Sequence, residues 1–416
     1  MGVNRRDFMT LAAAGSLMAS MSAPASGKVV EDSKKTDVPP RNRRPYSGVD
    51  WKNVLRIKTA THGHCTHQGH LDIYLKRGFR FLTVSNYYPS VPWVPLAEMT
   101  SGRFRVRQDH AVMVNGKRTK GPFKWNDIIA PWKESIDQKF AHEYPFKEGE
   151  KIFKSLPPGV LEAPNAEHHS FLGDDGRLVY NLHMCSPGSL YCSGTFDAKN
   201  RFRTASHGYC FGTGEKWRTA IDRMLEELIC PEGGGVTINH PLWTKLDRLL
   251  LLDLLDHDPR VLGVEVIENG RKGENYWDWV LSTGRQCFGF FVPDWGLWQK
   301  RFGVNVLCVH EHTVHACLKA YRQGNFYGAE HGLDELVFTH LSFDGKVVYA
   351  ATDKPARFEF VTAQGVVKTV KGASAQWNMP LEGDGKGPKV DIFVRVKAYA
   401  VDGTGEILYS QPFMLI

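Results

Sequence analysis

The chain has 416 residues, of which 42% are hydrophobic and 23% charged. This is the composition of an ordinary globular protein, with length for two or three domains. The formal net charge of +7, from 52 basic and 45 acidic residues, is a small excess for a chain of this length. Part of it falls in Arg41-Asn42-Arg43-Arg44, which is more typical of a solvated linker than of a nucleic-acid site. We therefore expect no nucleic-acid partner.

The N-terminal residues predict export. Asn4-Arg5-Arg6-Asp7-Phe8-Met9 has the form of a twin-arginine signal, and an apolar run follows from Leu11 to Ala19. Ala23-Pro24-Ala25 offers a cleavage site, so we assign residues 1–25 to a signal peptide rather than to a short amphipathic helix. The prediction is a periplasmic protein whose partner during export is the twin-arginine translocase. No later run is long and apolar enough to span a membrane, and we expect no stable membrane insertion after cleavage.

Strand-like and helix-like runs alternate after a linker predicted over residues 26–50. Such alternation is typical of parallel strands joined by crossover helices, and the number of units suits an α/β barrel over residues 51–332. The predicted strands are Val54–Ala60, Phe79–Ser85, Gly159–Glu162, Leu178–Leu182, Gly235–His240, Val261–Ile267 and Cys287–Val292; the predicted helices are His70–Arg77, Glu215–Ile229, Lys245–Asp256, Glu274–Ser282 and Thr313–Gln323.

Two long insertions, residues 88–156 and 185–214, interrupt the predicted barrel. Loops of this length are typical of lids or binding loops, although an excursion with its own small core is an equal alternative. Three arginines in the first insertion suit an anionic substrate, because arginine binds phosphate with two hydrogen bonds. A solvated basic strand is the competing interpretation. The three are Arg103, Arg105 and Arg107.

The pattern changes from Leu336 onward to short alternating runs. Turn pairs such as Asp344-Gly345 and Asp402-Gly403 separate some of them. This predicts a separate antiparallel β-sandwich over residues 333–416.

The eight cysteines include no Cys-x-x-Cys pair, which argues against a structural zinc site of that type. Cys185 and Cys192 flank a short segment, and a disulfide between them in an oxidising compartment stays open.

Metal-binding side chains recur where the predicted strands end, and in α/β barrels catalytic groups come from those ends. His62 and His64 lie two residues apart, so on a strand their imidazoles point to the same side. Each residue alone has a simpler explanation, such as a surface carboxylate for Glu162 or a core histidine for His240. Their recurrence at strand ends is the argument. The predicted metal ligands are His62, His64, Glu162, His168, His169, His240 and Asp294.

The order of these motifs resembles the PHP superfamily (polymerase and histidinol phosphatase). The Ser410-Gln411-Pro412-Phe413 tail is similar to that of the CehA/McbA-like branch. The resemblance covers about residues 52 to 416, less the insertions. The motifs that carry it are His62-Gly63-His64, Pro158–Glu162, Glu167–Gly173, Gly233–Pro241, Gly289–Asp294 and Ala320–Tyr327.

Two departures from the family pattern fall on one site. Family members with three metals have histidines where this chain has Tyr87 and Gly296, and those histidines bind the same ion as the one matched by His70. The resemblance therefore implies a distorted (β/α)7-type barrel with a dinuclear centre of Zn, Mn or Fe. In that centre His62, His64, Glu162 and Asp294 hold one ion, and Glu162, His168 or His169, and His240 hold the other.

The implied activity is that of a metal-dependent hydrolase acting on a small-molecule substrate. A phosphoesterase that uses a metal-bridging hydroxide is the leading prediction, with His70 or Tyr87 as proton donor. A carbamate, amide or aryl-ester hydrolase is an alternative, because the CehA/McbA-like branch includes carbamate and amide hydrolysis. A degenerate protein of this fold that binds a ligand without catalysis is the second alternative.

Overall fold

The structure is a computed structural model. The residues it describes begin at Val38. The predicted signal peptide and part of both insertions lie outside these residues. The described residues are 38–65, 67–86, 95–98, 111–114, 117–120, 153–169, 171–179, 181–191, 195–196, 211–212, 215–268, 270–332, 334–379 and 391–415.

The five described helices lie where the sequence predicts them, with ends within a few residues. Polar caps fix two of their N-termini: Asp247 accepts a hydrogen bond from Leu250 N, and Thr313 accepts one from Ala316 N. No helix of the described part is long and apolar enough to cross a membrane. The helices are α1 (Gln68–Lys76), α2 (Trp217–Glu226), α3 (Arg248–His257), α4 (Glu274–Ser282) and α5 (Val314–Gln323).

A six-stranded sheet contains the crossover units that the sequence predicts. Its strands are β6 (Glu167–His168), β9 (Met184–Cys185), β12 (Val236–Ile238), β13 (Val261–Glu268), β14 (Arg271–Lys272) and β15 (Phe288–Val292). Strands β12 and β15 both pair with β13 in parallel, so their C-terminal ends lie at one edge of the sheet. Helices α3 and α4 connect these three strands, and both contact β13.

A nine-stranded sheet joins the first strand of the described chain to the last ones. It comprises β1 (Leu55–Thr59), β16 (Gly303–Val309), β17 (Phe326–Glu330), β18 (Phe338–Phe343), β19 (Val347–Thr362), β20 (Gly365–Asn378), β21 (Phe393–Ala400), β22 (Ile407–Tyr409) and β23 (Phe413–Met414). Strand β17 pairs with both β16 and β22, so this sheet continues across the predicted boundary at 332–333. The division into barrel and sandwich therefore stays a prediction.

Strands from the two insertions meet in one small sheet. Strands β3 (Ala111–Val114) and β4 (Lys117–Lys120) come from the first insertion, and β10 (Thr195–Phe196) and β11 (Phe211–Gly212) from the second. Strand β10 pairs with β3. Two further pairs, one parallel and one antiparallel, are β2 (Phe81–Leu82) with β5 (Leu161–Glu162), and β7 (Phe171–Leu172) with β8 (Leu178–Val179).

The chain is thus a mixed α/β protein with a large antiparallel sheet and few helices. Strand β1, predicted as part of a parallel barrel, pairs antiparallel with β16 along its whole length. Parallel pairing between the barrel strands is confined, among the described residues, to β2 with β5 and to β12, β13 and β15. A closed barrel stays a prediction.

The end of the predicted linker packs against the body of the protein. The Arg41 guanidinium donates to the carbonyl oxygens of Leu255, Val261 and Gln286 at 2.7–2.9 Å. Tyr46 is 3% exposed, and its hydroxyl donates to Phe326 O. The sequence missed this packing because an irregular segment that supplies partners to backbone carbonyls has no periodicity.

A buried arginine fastens the C-terminal strands to α4. Arg395 on β21 is 2% exposed, and its Nε and Nη2 lie 2.7 and 2.8 Å from the two carboxylate oxygens of Asp278. Nη2 also lies 3.0 Å from Glu274 Oε2, while Lys397 donates to Glu274 Oε1 at 3.0 Å. Two basic residues of the predicted sandwich are thus paired with two acidic residues of the predicted barrel.

Candidate metal centre

Backbone pairing holds the His62-Gly63-His64 segment against the end of β15. Asp294 N donates to His62 O at 3.2 Å, and His64 N donates to Asp294 O at 3.4 Å. A side chain at Gly63 would meet the Tyr74 hydroxyl, because an added Cβ would lie 2.1 Å from that oxygen. Glycine at this position therefore lets the segment lie close to α1, with both histidines buried.

Glu167 lies between two groups of ligand-type side chains. On one side its Oε2 lies 3.2 Å from His62 Nε2 and 3.3 Å from His64 Nε2. Asp294 Oδ1 completes this first ligand group, at 3.1 Å from His62 Nε2 and 3.3 Å from His64 Nε2. On the other side Glu167 Oε1 lies 3.0 Å from His183 Nδ1 and 3.4 Å from His240 Nε2, and these three atoms form the second ligand group.

The spacing within both groups suits metal ions. Zinc ligands lie about 2.0–2.1 Å from the ion in a tetrahedral site, which places the ligand atoms about 3.3 Å from one another. The distances of 3.0–3.4 Å match that value. Buried His62 Nε2 and Glu167 Oε2 also make no hydrogen bond within the described part of the chain, so these atoms are available for coordination. The residues present therefore fit two divalent ions, with Glu167 touching both.

Glu265 makes hydrogen bonds to one residue of each ligand group. Its Oε1 lies 2.8 Å from His62 Nδ1, and its Oε2 accepts from the backbone N of His240 at 2.7 Å. Residue Asn239 donates to Glu167 Oε1 at 3.3 Å and to the Cys185 sulfur at 3.2 Å. Such outer contacts fix the orientation of metal-binding side chains.

Electrostatics in the centre favour a positive charge. Burial alone would lower the pKa of His62, but the carboxylates of Glu265, Glu167 and Asp294 outweigh burial and raise it well above its ordinary value. Burial alone would raise the pKa of Glu167, yet the charge on His62 and hydrogen bonds from histidines hold it well below its usual range. The Glu167 carboxylate is thus ionised at neutral pH, and a buried cation beside it is stabilised.

Two of the ligand-type residues have strained backbones. His240 has a φ of 29° and Asp294 a φ of 47°, in the left-handed region that residues with a Cβ rarely adopt. His240 lies two residues after the end of β12, and Asp294 lies two residues after the end of β15. Strain of this kind concentrates at functional sites, where surrounding contacts hold it.

The sequence prediction chose a different glutamate and different histidines for part of the centre. Glu162, predicted as the bridging ligand, is half-buried, and its Oε2 accepts from Leu96 N at 3.1 Å. It belongs to no ligand-type cluster of the described residues, and Glu167 lies where it was expected. Strand β5 ends at Glu162, which is where the sequence pattern placed the ligand. The chain reaches the other ligand-type side chains five residues later, at Glu167, where β6 pairs with β9.

His183 likewise lies where His168 or His169 was expected. His168 Nε2 lies 2.8 Å from the Ser186 hydroxyl, and burial lowers the pKa of His168 to about 3, so its ring is neutral. The ring of His169 lies beside that of His183, with 5.5 Å between their centroids, but outside the second ligand group. His183 follows the apolar run Leu178–Leu182, so the strand-end rule applied to that run points to it.

The remaining predicted site residues have different outcomes. His70 on α1 stacks on Trp298, and Trp295 stacks on His64 at 4.1 Å between ring centroids. Cys185 is a free, buried thiol, so it forms no disulfide with Cys192. The other predicted residues lie outside the part of the chain that the structure describes; they are Tyr87, Arg103, Arg105 and Arg107.

Comparisons with known proteins add little to this geometry. No protein-family model and no curated protein matches the sequence. One solved structure with which the chain aligns is a two-domain protein containing a predicted PHP-like metal-dependent phosphoesterase, from Bacteroides vulgatus. The two are 10% identical, the alignment covers 90% of this chain and 99% of that one, and the TM-score is 0.37. A likeness this distant carries no argument about either fold or activity.

Proposed function

We propose that this protein is a metal-dependent hydrolase of the PHP superfamily that cleaves phosphate esters at a dinuclear centre. The observation that carries the proposal is the position of Glu167. Its two carboxylate oxygens face two separate ligand groups, one made with His62, His64 and Asp294 and the other with His183 and His240. A shared carboxylate between two such groups is the arrangement in which a pair of ions clamps the oxygens of a substrate.

Two divalent ions bound here would polarise the substrate and lower the pKa of a bound water to about 7. The protein's own part is to keep the ligands in place. Glu265 holds the proton of His62 on Nδ1, which leaves Nε2 as the ligand atom. Glu167 and Asp294 supply negative charge that offsets the two cations. Ester hydrolysis forms a bond from phosphorus to the oxygen of water and breaks the bond to the leaving oxygen, which then needs a proton.

His70 is the proton donor that we propose for the leaving group. It lies on α1, half-buried, with its ring against Trp298 and the edge of Trp295. Trp295 in turn stacks on His64 of the first ligand group. His70 is thus near the centre but belongs to neither ligand group. Imidazole is the most common general acid in enzymes, so a histidine in that position can supply the proton. Tyr87, the other predicted donor, stays a proposal from the sequence alone.

A non-catalytic binding protein is the weaker alternative. A degenerate centre would have lost ligands, whereas the first group has three side chains besides the shared glutamate and the second has two. Hydrolysis of a carbamate, amide or aryl ester is chemically compatible with the same centre. We favour a phosphate ester because the sequence resemblance points to it, and because Arg271 adds a positive charge beside Trp243, three residues after His240. We also propose that the twin-arginine signal directs this protein to the periplasm.

Metal analysis and a substrate panel test this proposal together. The purified, metal-loaded protein is assayed with four compounds that release p-nitrophenolate. They are p-nitrophenyl phosphate, bis(p-nitrophenyl) phosphate, p-nitrophenyl acetate and p-nitrophenyl N-methylcarbamate. We expect about two ions per chain and the highest kcat/KM on one of the phosphates. Turnover of only the acetate or carbamate would select the alternative hydrolase, and no turnover with little metal would select the binding protein.

The matched variants are Glu167→Gln and Glu406→Gln. Both glutamates are buried, but Glu406 accepts from Glu335 N and Leu336 N, outside either ligand group. Glu167→Gln should lose metal and activity, while Glu406→Gln keeps both. Wild-type activity in the Glu167→Gln protein would exclude the proposed centre.

A further inference from the structure

Two exposed tryptophans lie beside the candidate metal centre. Trp243 is 44% exposed and Trp298 is 53% exposed, although tryptophan is a residue that proteins bury to a large extent. Leu242, next to Trp243, is 47% exposed as well. Ligand sites are lined mainly by apolar and aromatic side chains, so indoles that stay open to water beside a candidate site can contact a ligand.

The fold places both tryptophans at the same edge of the six-stranded sheet. Trp243 lies in the segment that follows β12, and Trp298 lies in the segment that follows β15. Strands β12 and β15 both pair in parallel with β13, one on each side of it. The segments that follow them therefore leave the sheet at the same edge. In open α/β sheets ligands bind outside the carboxyl ends of the strands.

Each indole touches a histidine: Trp243 touches a residue of the second ligand group, and Trp298 touches the proposed proton donor. The ring of His240 meets Trp243 edge to face, with 4.9 Å between centroids and an interplanar angle of 84°. The ring of His70 stacks on Trp298 with 5.6 Å between centroids and an angle of 24°. The Arg271 guanidinium lies 5.0 Å from the centroid of Trp243. These contacts hold each ring from the protein side and leave about half of its surface in water.

We propose that the exposed indoles of Trp243 and Trp298 each offer a stacking surface for a planar aromatic ring in the substrate, so that this hydrolase acts on phosphate esters of aromatic or heteroaromatic groups. This inference rests on the proposed function, which it narrows to a substrate class. Indole faces stack on flat rings, and the arrangement needs no hydrogen bonds to the ring. The positive charge of Arg271 at Trp243 also suits a ring that is attached to an anionic phosphate.

Nonhydrolysable phosphonates separate ring binding from catalysis. The affinities of methylphosphonate, cyclohexylphosphonate and phenylphosphonate for the metal-loaded protein are measured by calorimetry. We expect phenylphosphonate to bind about tenfold more tightly than cyclohexylphosphonate, because the two are similar in size but only one has a flat π-face. Equal affinity for the two, or no binding of phenylphosphonate at millimolar concentration, would overturn the aromatic site. Tighter binding of the nonhydrolysable phosphonate analogue of glucose 6-phosphate than of phenylphosphonate would assign the indoles to a sugar and overturn it too.

Tryptophan variants locate the site. Trp243→Leu and Trp298→Leu keep apolar bulk but remove the flat ring, and each should lower the ratio of phenyl to cyclohexyl affinity several-fold. The control is Trp279→Leu, since Trp279 is a half-buried residue on α4 that packs under Arg248 and is part of neither ligand group. A ratio that stays at the wild-type value in the Trp243→Leu/Trp298→Leu double variant would exclude these two residues.

A pair of diesters extends the test to turnover. Methyl p-nitrophenyl phosphate and phenyl p-nitrophenyl phosphate release the same p-nitrophenolate, so only the retained group differs. We expect the phenyl diester to have about tenfold higher kcat/KM in the wild type, and the two variants to reduce this ratio. Ring preference in phosphonate binding without any hydrolysis would refute the proposed function and leave the aromatic site standing. Hydrolysis of both diesters at equal rates would refute the aromatic site and leave the proposed function standing.

Discussion

Glu265 joins the two halves of the candidate centre: its Oε1 lies 2.8 Å from His62 Nδ1, while its Oε2 accepts from the backbone N of His240 at 2.7 Å. One buried carboxylate thus fixes the ring of a residue in the first ligand group and the backbone of a residue in the second. That backbone has a φ of 29°, and the hydrogen bond helps to hold it in a sparsely populated conformation.

Glu265→Gln should weaken metal binding without changing the number of ions bound at saturation. The amide has only one acceptor oxygen, so it cannot accept from both His62 Nδ1 and His240 N, and loss of such an outer contact typically costs about 10–100-fold in metal affinity. Competition with a chromogenic chelator measures the effect, and Glu406→Gln is the matched control. If Glu265 is instead a metal ligand itself, the variant will bind fewer ions at saturation, and a positioning role is then wrong.

Single-ligand variants should each remove one ion. His64 belongs to the first ligand group and His183 to the second, so His64→Ala and His183→Ala should each retain about one ion per chain. Elemental analysis gives the count, and in manganese-loaded protein the magnetic coupling between neighbouring ions should vanish in both. His340→Ala, in β18, is the control and should keep two ions. A wild-type count of three, with His70 as a ligand, would contradict the two-ion centre.

Metal removal should lower the melting temperature. The metal-free centre buries the carboxylates of Glu167, Glu265 and Asp294 close together, and bound cations relieve this repulsion. Metal at about 1,000 times its Kd stabilises the folded state by about 4 kcal/mol. Calorimetry of chelator-treated and reloaded protein measures the shift. Reloading should have no such effect on Glu167→Ala, and an equal melting temperature for both wild-type forms would speak against a built metal site.

Acid should weaken the attachment of the C-terminal strands to α4. Burial alone would raise the pKa of Glu274, but the charges of Arg395 and Lys397 outweigh burial and lower it below its ordinary value. A carboxyl with a lowered folded-state pKa stabilises the protein above its unfolded-state pKa, and the contribution is lost as the pH falls through the folded-state pKa. Glu274→Gln should therefore be less stable than wild type at pH 7, and this difference should shrink below about pH 4.

Urea unfolding at pH 7 and pH 3.5 tests the acid effect. The control is Glu335→Gln, because the Glu335 side chain is 48% exposed and its pairing with Lys354 contributes little. Arg395→Met provides a second comparison: it leaves Glu274 and Asp278 without their buried partner, and should cost about 3–5 kcal/mol at pH 7. A stability difference between Glu274→Gln and wild type that is the same at both pH values would show that protonation of Glu274 does not cause the acid effect.

The sequence pattern predicted those candidate ligands that follow recognisable apolar runs. His240 and Asp294 come after β12 and β15, where buried runs have clear ends, and His62 and His64 follow β1. Glu167 escaped detection because β6 has two residues, too few for any periodicity, and its position depends on pairing with β9. The helices were predictable for the converse reason, since their caps and apolar faces are local.

Long-range strand pairing was the other feature that the sequence could not give. The alternating runs after Leu336 indicate strands but carry no information about their neighbours. In the structure β22 pairs with β17, and through β16 the same sheet reaches β1, far earlier in the chain. A prediction from local pattern therefore separates two regions that hydrogen bonds join.

The C-terminal segment also reaches the strand that leads to Asp294. The Gln411 side chain donates to Gly289 O and accepts from Gly289 N, both at 2.8 Å, and Gln411 N donates to the Tyr46 hydroxyl at 2.7 Å. The residues nearest the end of the chain thus complete the hydrogen bonds of β15. It follows that the strand leading to Asp294 lacks two of its hydrogen bonds until the segment around Gln411 has folded onto it.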